Sequence, residues 1–217
     1  MLPISIGAGG RGLRRLLALG AHSDDIEIGC GATILRLVQE YPDLEVHWVV
    51  FSAHGARADE ARASAESLLS DAVRREIVVE SFRDGFLPYD GAAVKDRFET
   101  LKTQIDPDLI LTHYGRDAHQ DHRLVSELTW NTFRNHLILE FEIPKFDGDL
   151  GQPSVFVQLS EDLVRRKVEH LHQHFPSQHG RQWFSEDLFR SLMRLRGMEC
   201  NAESSHAEAF YSRKILI

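Results

Sequence analysis

Imidazole and carboxylate groups concentrate in two short segments, Ala21-His22-Ser23-Asp24-Asp25 and His119-Gln120-Asp121-His122. The first stands directly behind the apolar run Leu16-Leu17-Ala18-Leu19, the second just beyond Leu109-Ile110-Leu111. Each therefore sits at the exit of a predicted buried strand, where an open α/β sheet gathers its ligand-binding loops. His22 and Asp25 are three residues apart, and a turn leaving a strand can aim both at one point while sending Asp24 elsewhere. One nitrogen and one carboxylate oxygen make half of a zinc site, and His122 offers a second nitrogen. Three protein ligands with water in the fourth position is the arrangement of catalytic zinc, whereas structural zinc is closed by four ligands rich in cysteine. Only two cysteines occur, Cys30 and Cys200, in no ligand spacing. Zinc lowers the pKa of a bound water to roughly 7 and makes it a nucleophile at neutral pH; another divalent metal is the alternative occupant. The predicted chemistry is hydrolysis.

The remaining residues of the two segments then acquire roles. Asp24 neighbours a ligand without being needed for coordination, and reads as a general base. His119 on the facing segment reads as a donor to the oxyanion of a tetrahedral intermediate, or as the acid that protonates a leaving amine. His119-x-x-His122 is also a ligand spacing, so His119 is a second candidate for the metal. Asp121 reads as a carboxylate that orients an imidazole by accepting its other N–H.

Such a site requires elements that bring two segments about a hundred residues apart into one cleft. Strand signals cover 16–21, 46–51, 77–79, 109–112 and 137–141, and helix signals cover 29–40, 56–70, 92–104 and 123–134. This alternation predicts right-handed crossovers and a mostly parallel twisted sheet, that is, a Rossmann-like three-layer α/β sandwich. The tail departs from the rhythm: 144–153 reads as a loop, with 143–153 able to wall a substrate pocket, and 155–159 as a short strand. Ser160 then caps a helix that has Glu161 and Asp162 in its first turn and an apolar stripe of Leu163, Val168, Leu171 and Phe175. No linker suggests a second domain, so residues 1–217 are expected to form one.

At 217 residues, 42% hydrophobic and 27% charged, the chain can bury one substantial core. A net charge of −8 provides no broad positive field for nucleic acid or an anionic membrane. The absence of a long apolar run predicts no membrane span, and Met1 to Gly10 shows no secretory leader pattern. Sparse cysteine suits a reducing cytoplasm. Homo-oligomerisation is left open by the sequence.

The segment from Leu17 to Gly31, with His-Ser-Asp-Asp followed by Ile26-Glu27-Ile28-Gly29, resembles the first signature of the PIG-L/LmbE-like zinc-dependent de-N-acetylases. The His-Gln-Asp-His segment resembles their second. The likeness continues at Arg57 and Glu60, at Asp84-Gly85 and at Ala207-Glu208-Ala209-Phe210. It implies zinc on His22, Asp25 and His122, a general base at Asp24, an electrophilic His119, and substrates that are small N-acetylated amino sugars or their conjugates, N-acetylglucosamine among them. Two departures are Ser23 and Gln120, where the family usually carries proline. Loop geometry then rests on tertiary contacts, while every proposed ligand and acid/base group is retained.

Further residues carry two readings each. Arg57 offers a donor fork to a sugar hydroxyl or phosphate, against a simple helix pair with Glu60. Asp84 is a substrate-contact candidate through the resemblance. His113 ends its strand beside the same cleft, as a substrate contact or a satisfied structural histidine. His170, His172 and His174 read as a polar helix face; His174 with Ser177 and Gln178 resembles a family pattern, offset by one residue. Trp183, Phe184, Phe189 and Leu192 read as core or lid contacts. Glu142-Ile143-Pro144-Lys145 offers charge to a nucleotide or acidic sugar. Gly29 and Gly31 begin a phosphate-cradling pattern that no third glycine completes, which argues against a dinucleotide site. The expected function is a zinc amidohydrolase removing acetyl from an N-acetyl amino sugar. Its rivals are a non-catalytic metal-containing sugar- or nucleotide-binding module and, less well matched to one three-ligand ion, a metal phosphoesterase.

Overall fold

The computed structural model describes residues 12–216; the leader reading of Met1 to Gly10 falls outside them. In chain order the elements are β1 (Arg15–His22), α1 (Asp25–Glu40), β2 (Glu45–Ser52), α2 (Ala56–Leu68), β3 (Arg74–Val79), α3 (Gly91–Gln104) and β4 (Leu109–His113). They continue as α4 (Gln120–Thr132), β5 (Leu137–Phe141), β6 (Val155–Gln158), α5 (Glu161–His174), α6 (Glu186–Glu199) and β7 (Ala207–Tyr211). One seven-stranded sheet runs β3-β2-β1-β4-β5-β7-β6. Strands β1 to β5 pair in parallel, and β7 lies antiparallel between β5 and β6.

The apolar runs of the central strands follow from burial on both faces. Leu16 and Ala18 of β1, Trp48 and Val50 of β2, and Leu109 and Leu111 of β4 point into a core shared with α1, α2, α5 and α6. Their alternating neighbours Leu17, Leu19, Val49, Phe51 and Ile110 point into a second core under α3 and α4. Helices thus cover both faces, which is the expected Rossmann-like three-layer arrangement. Among the described residues no helix is long and apolar enough to cross a membrane.

Several boundaries differ from the sequence reading for a shared reason. Helix α1 begins at Asp25 rather than at Gly29, and α4 at Gln120 rather than at Arg123. The first motif therefore runs from the end of β1 into the first turn of α1 and the second from the cap of α4 into its first turn, so that Asp25, Glu27 and Asp121 face the positive end of a helix dipole. Helix α6 and strand β7 were absent from the sequence reading. Ser185 caps α6 by accepting from the Leu188 amide at 3.2 Å, with Glu186 and Asp187 in the first turn. The same signature stands at Ser160, whose hydroxyl accepts from Leu163 N at 3.3 Å.

From β1 the chain winds outward through β2 to β3 on one side, then crosses back through α3 to place β4 on the other side of β1, so the order reverses between β1 and β4. The crevice at the carboxyl ends of these two strands is the topological switch point, the usual ligand position in open α/β sheets. His22 is the last residue of β1 and His113 the last of β4.

Candidate metal centre

Three atoms from the two motifs form a tight triangle. His22 Nδ1 lies 3.1 Å from His122 Nε2 and 3.2 Å from Asp25 Oδ2, and His122 Nε2 lies 3.4 Å from that same oxygen. A tetrahedral ion with bonds of about 2.0–2.1 Å needs ligand-to-ligand edges of about 3.3–3.4 Å. The triangle fits. His119 also places a ring nitrogen within 4.8 Å of those of His22 and His122.

Each of these candidate ligands is aimed by a neighbour. The Asp25 carboxylate accepts from its own strand end, His22 N, at 2.7 Å. His122 Nδ1 is 2.9 Å from Asp117 Oδ2, which fixes that ring through its far nitrogen. His22 Nε2 faces two carboxylates, Asp121 Oδ2 and Asp84 Oδ1, each at 3.2 Å. Asp121 is itself held by the amides of Gly85 at 2.8 Å and Leu87 at 3.1 Å, which ties the loop after β3 to the floor of the site. Gln120, in a usual proline position, donates through its side-chain amide to the Gly85 carbonyl and fastens the same loop.

The charges are strongly coupled. Burial pushes Asp25 upward, yet the His122, His22 and His113 imidazoles hold it well below the carboxylate range. Burial opposes charge on His22 and His122 as well, but Asp25 raises both, helped by Asp121 and Asp84 at His22 and by Asp117 at His122. Asp24 behaves differently: burial first and the neighbouring Asp25 second push it up to about 6, against the pull of Arg57 and His22. Arg57 Nη2 donates to Asp24 Oδ1 at 3.0 Å, while Asp24 Oδ2 is buried with no hydrogen-bond partner. An orphaned acceptor beside a triangle of candidate ligands is a place for a proton-bearing atom of a bound molecule.

His119 caps α4, its Nδ1 accepting from Asp121 N at 3.2 Å. The proton of the neutral ring therefore sits on Nε2. Burial and the adjacent His122 and His22 lower its pKa, so the ring stays neutral. His119 stacks edge-on to His22 at 4.9 Å between centroids.

The remaining sequence candidates are distributed around this centre. Arg57 turns to Asp24 and comes within 3.9 Å of Asp84, while Glu60 instead accepts from Ser177 N and Oγ at 2.8 and 2.5 Å; the Arg57–Glu60 helix pair does not form. Asp84 is exposed at the rim. His113 is fully buried behind Asp25, accepting from Ala21 N at 2.9 Å, with its pKa lowered by burial to about 4. It thus has no surface for a substrate. His170 and His174 share a face, their rings 4.3 Å apart, and His170 Nε2 lies 2.8 Å from Ser64 Oγ.

The expected charged contact at 142–145 is corrected. Glu142 forms a buried pair with Arg196 at 2.7 Å, and Lys145 folds inward onto Asp117 at 2.9 Å and Asp149 at 2.5 Å. Both charges are occupied within the protein. Asp117, missed by sequence reading, is 2% exposed and links this loop to His122. Its signal was a carboxylate two residues ahead of the second motif.

An open α/β sheet with a His-Asp-His set at its switch point defines the class, and comparison gives the family. Residues 17–133 match PIG-L, described as GlcNAc-PI de-N-acetylase, and the chain belongs to that family. It is similar to the Escherichia coli (strain K12) protein called "Uncharacterized deacetylase YaiS", 28% identical over 171 residues, covering 73% of this chain and 89% of that one. Among solved structures it resembles N,N'-diacetylchitobiose deacetylase from Pyrococcus horikoshii at 21% identity and a TM-score of 0.70, covering 96% of this chain and 86% of that one. It also resembles GalB, the 4-carboxy-2-hydroxymuconate hydratase of Pseudomonas putida KT2440, at 16% identity and a TM-score of 0.73, covering 94% and 98%. These two likenesses define the fold.

Proposed function

We propose that this chain is a zinc-dependent amidohydrolase that removes the acetyl group from an N-acetylated amino sugar or its conjugate. Family membership and the deacetylase names of its relatives support the acyl chemistry. The observation that carries the mechanism is the ligand triangle with the orphaned Asp24 oxygen beside it.

His22 Nδ1, Asp25 Oδ2 and His122 Nε2 would hold the ion. When bound, a divalent ion supplies Lewis acidity and makes water more acidic. Asp24 takes the proton of the attacking water, and its pKa near 6 suits a base working near neutral pH. The water oxygen bonds to the acetamide carbon while the carbonyl π electrons move onto oxygen. His119 Nε2–H donates to that developing charge. The C–N bond then breaks, the amine nitrogen takes the proton that Asp24 has accepted, and free amine and acetate leave. Arg57 steadies Asp24 and Asp84 offers a polar rim contact. His113, lacking surface, supports Asp25 from behind.

The chain acts as one domain in a reducing cytoplasm, consistent with Cys30 and Cys200 both free and buried. A pure binding module has no use for a buried carboxylate beside the ligands. The test is acetate release from N-acetylglucosamine conjugates by zinc-loaded protein, before and after a chelator, with Asp24→Asn alongside. Activity that vanishes with the metal, and falls about 10²- to 10⁴-fold in Asp24→Asn with zinc retained, is expected. Activity unchanged by either treatment refutes the proposal.

A further inference from the structure

Helix α1 is interrupted. At Cys30 the backbone leaves helical geometry, with φ −148° and ψ 19°. In an unbroken helix the amides of Ala32 and Thr33 would donate to the carbonyls of Ile28 and Gly29. Here both donate to Glu208 of β7, Ala32 N to Oε1 at 3.1 Å and Thr33 N to Oε2 at 2.6 Å. The Ile28 carbonyl accepts instead from Lys167 Nζ of α5 at 2.6 Å, and that ammonium also lies 2.6 Å from Glu208 Oε1. The side chains are only 4% and 3% exposed. Burying two charges is costly unless their remaining donors and acceptors are also matched. Here they are matched by the very backbone groups the break releases. Glu208 caps the body of the helix, and Lys167 closes the turn ahead of it.

The break divides α1 into a body, buried through Ile34, Leu37 and Val38, and a short leading turn, Asp25 to Gly29, that carries a proposed ligand and follows the proposed base. Gly29 lets this turn press against β5, since a Cβ there would lie 2.2 Å from the Phe141 ring. A second tie comes from Ser64, which donates to Glu27 of the same turn.

We infer that Lys167 and Glu208 are positioning residues for the metal centre. They set the angle between the leading turn and the helix body, and so bring Asp25 Oδ2 within 3.2 and 3.4 Å of the His22 and His122 ligand nitrogens. Both act through the α1 backbone. The inference rests on the metal reading above.

The test uses the full chain with Lys167→Met/Glu208→Gln, which removes both charges together. Zinc affinity is read by competition with a chromophoric chelator, beside a control, Leu101→Ala, in the separate core under α3. The double variant is expected to bind zinc about 10-fold or more weakly, and the control, at equal or greater loss of melting temperature, to bind within about two-fold of wild type. Double-variant affinity within about two-fold of wild type overturns the inference. Should the double variant not fold, Lys167→Arg, which keeps the charge and changes its reach, is expected to weaken zinc several-fold, and unchanged affinity there overturns it equally. Amide hydrogen exchange in metal-free protein supplies an independent reading: exchange at residues 25–33 should accelerate while 46–52 stays protected. If wild type holds no zinc, the function reading fails, and unchanged exchange at 25–33 is then the result that sinks this one.

Discussion

Arg57 grips one oxygen of Asp24 at 3.0 Å and leaves the other, buried, without a partner. A guanidinium that is one-third exposed thus fixes a carboxylate that is almost wholly enclosed. Hydrogen bonds to charged groups contribute about 1.5–3 kcal/mol. Arg57→Met is therefore expected to lower kcat/KM for acetate release by about 10- to 100-fold while bound zinc, measured by elemental analysis, stays at the wild-type level. Loss of zinc in step with activity would show that Arg57 supports the ligands rather than the base.

Asp117 accepts from His122 Nδ1 and from Lys145 Nζ, both at 2.9 Å. Burial pushes its carboxyl up, but His122, His113 and Lys145 together hold it well below the usual range, so it is ionised throughout the working pH range. Carboxylates behind a metal imidazole typically account for 10–100-fold in metal affinity. Asp117→Asn should weaken zinc by about that factor in a chelator competition, with Lys145→Met having a smaller effect in the same direction.

Gly29 stands against Phe141, where an added Cβ would meet ring atoms at 2.2, 2.7 and 2.9 Å. Both elements are packed, so the ring has to move or the turn has to lift. Gly29→Ala is expected to destabilise by about 1–3 kcal/mol, read as a fall in denaturation midpoint. Combining it with Phe141→Leu should recover part of that loss, giving a non-additive cycle.

His170 is neutral in the folded chain, because burial first and then His174 and Arg166 lower its pKa to about 3. The unfolded chain takes up a proton near pH 6.5 that the folded chain refuses. Between about 6.5 and about 3 the unfolded state thus binds more protons, and stability falls as pH falls. Thermal unfolding across pH 7 to 4.5 should show a steeper decline in wild type than in His170→Gln. Parallel curves would place the imidazole in water-like surroundings.

Much of this architecture is legible along the chain because it depends on local pattern. Leu137–Phe141 reads as a strand and is one with those bounds, since its four apolar residues alternate between two cores. The Ser160 cap is equally local. The Ser185 cap carries the same signature, and α6 was readable by the rule that gave α5. Strand β7 was not: Ala-Glu-Ala-Phe-Tyr becomes a strand by pairing with β5 and β6, partners distant in sequence. Nor did any pattern show that Lys145 would turn inward to Asp117 or that Glu208 would stitch α1.

By itself the amino-acid order determined the donor inventory. Two strand exits carry His, Asp and His, with Asp24 and His119 left over, because residue type and spacing fix what chemistry a segment can offer. Tertiary structure alone decided which atoms meet: the Nδ1 of His22 rather than its Nε2, the orphaned oxygen of Asp24, and the burial that makes His113 a support. The physical reason is range. Spacing constrains atoms a few bonds apart, whereas distances across the cleft and the electrostatics of burial depend on groups brought together only when the whole sheet closes.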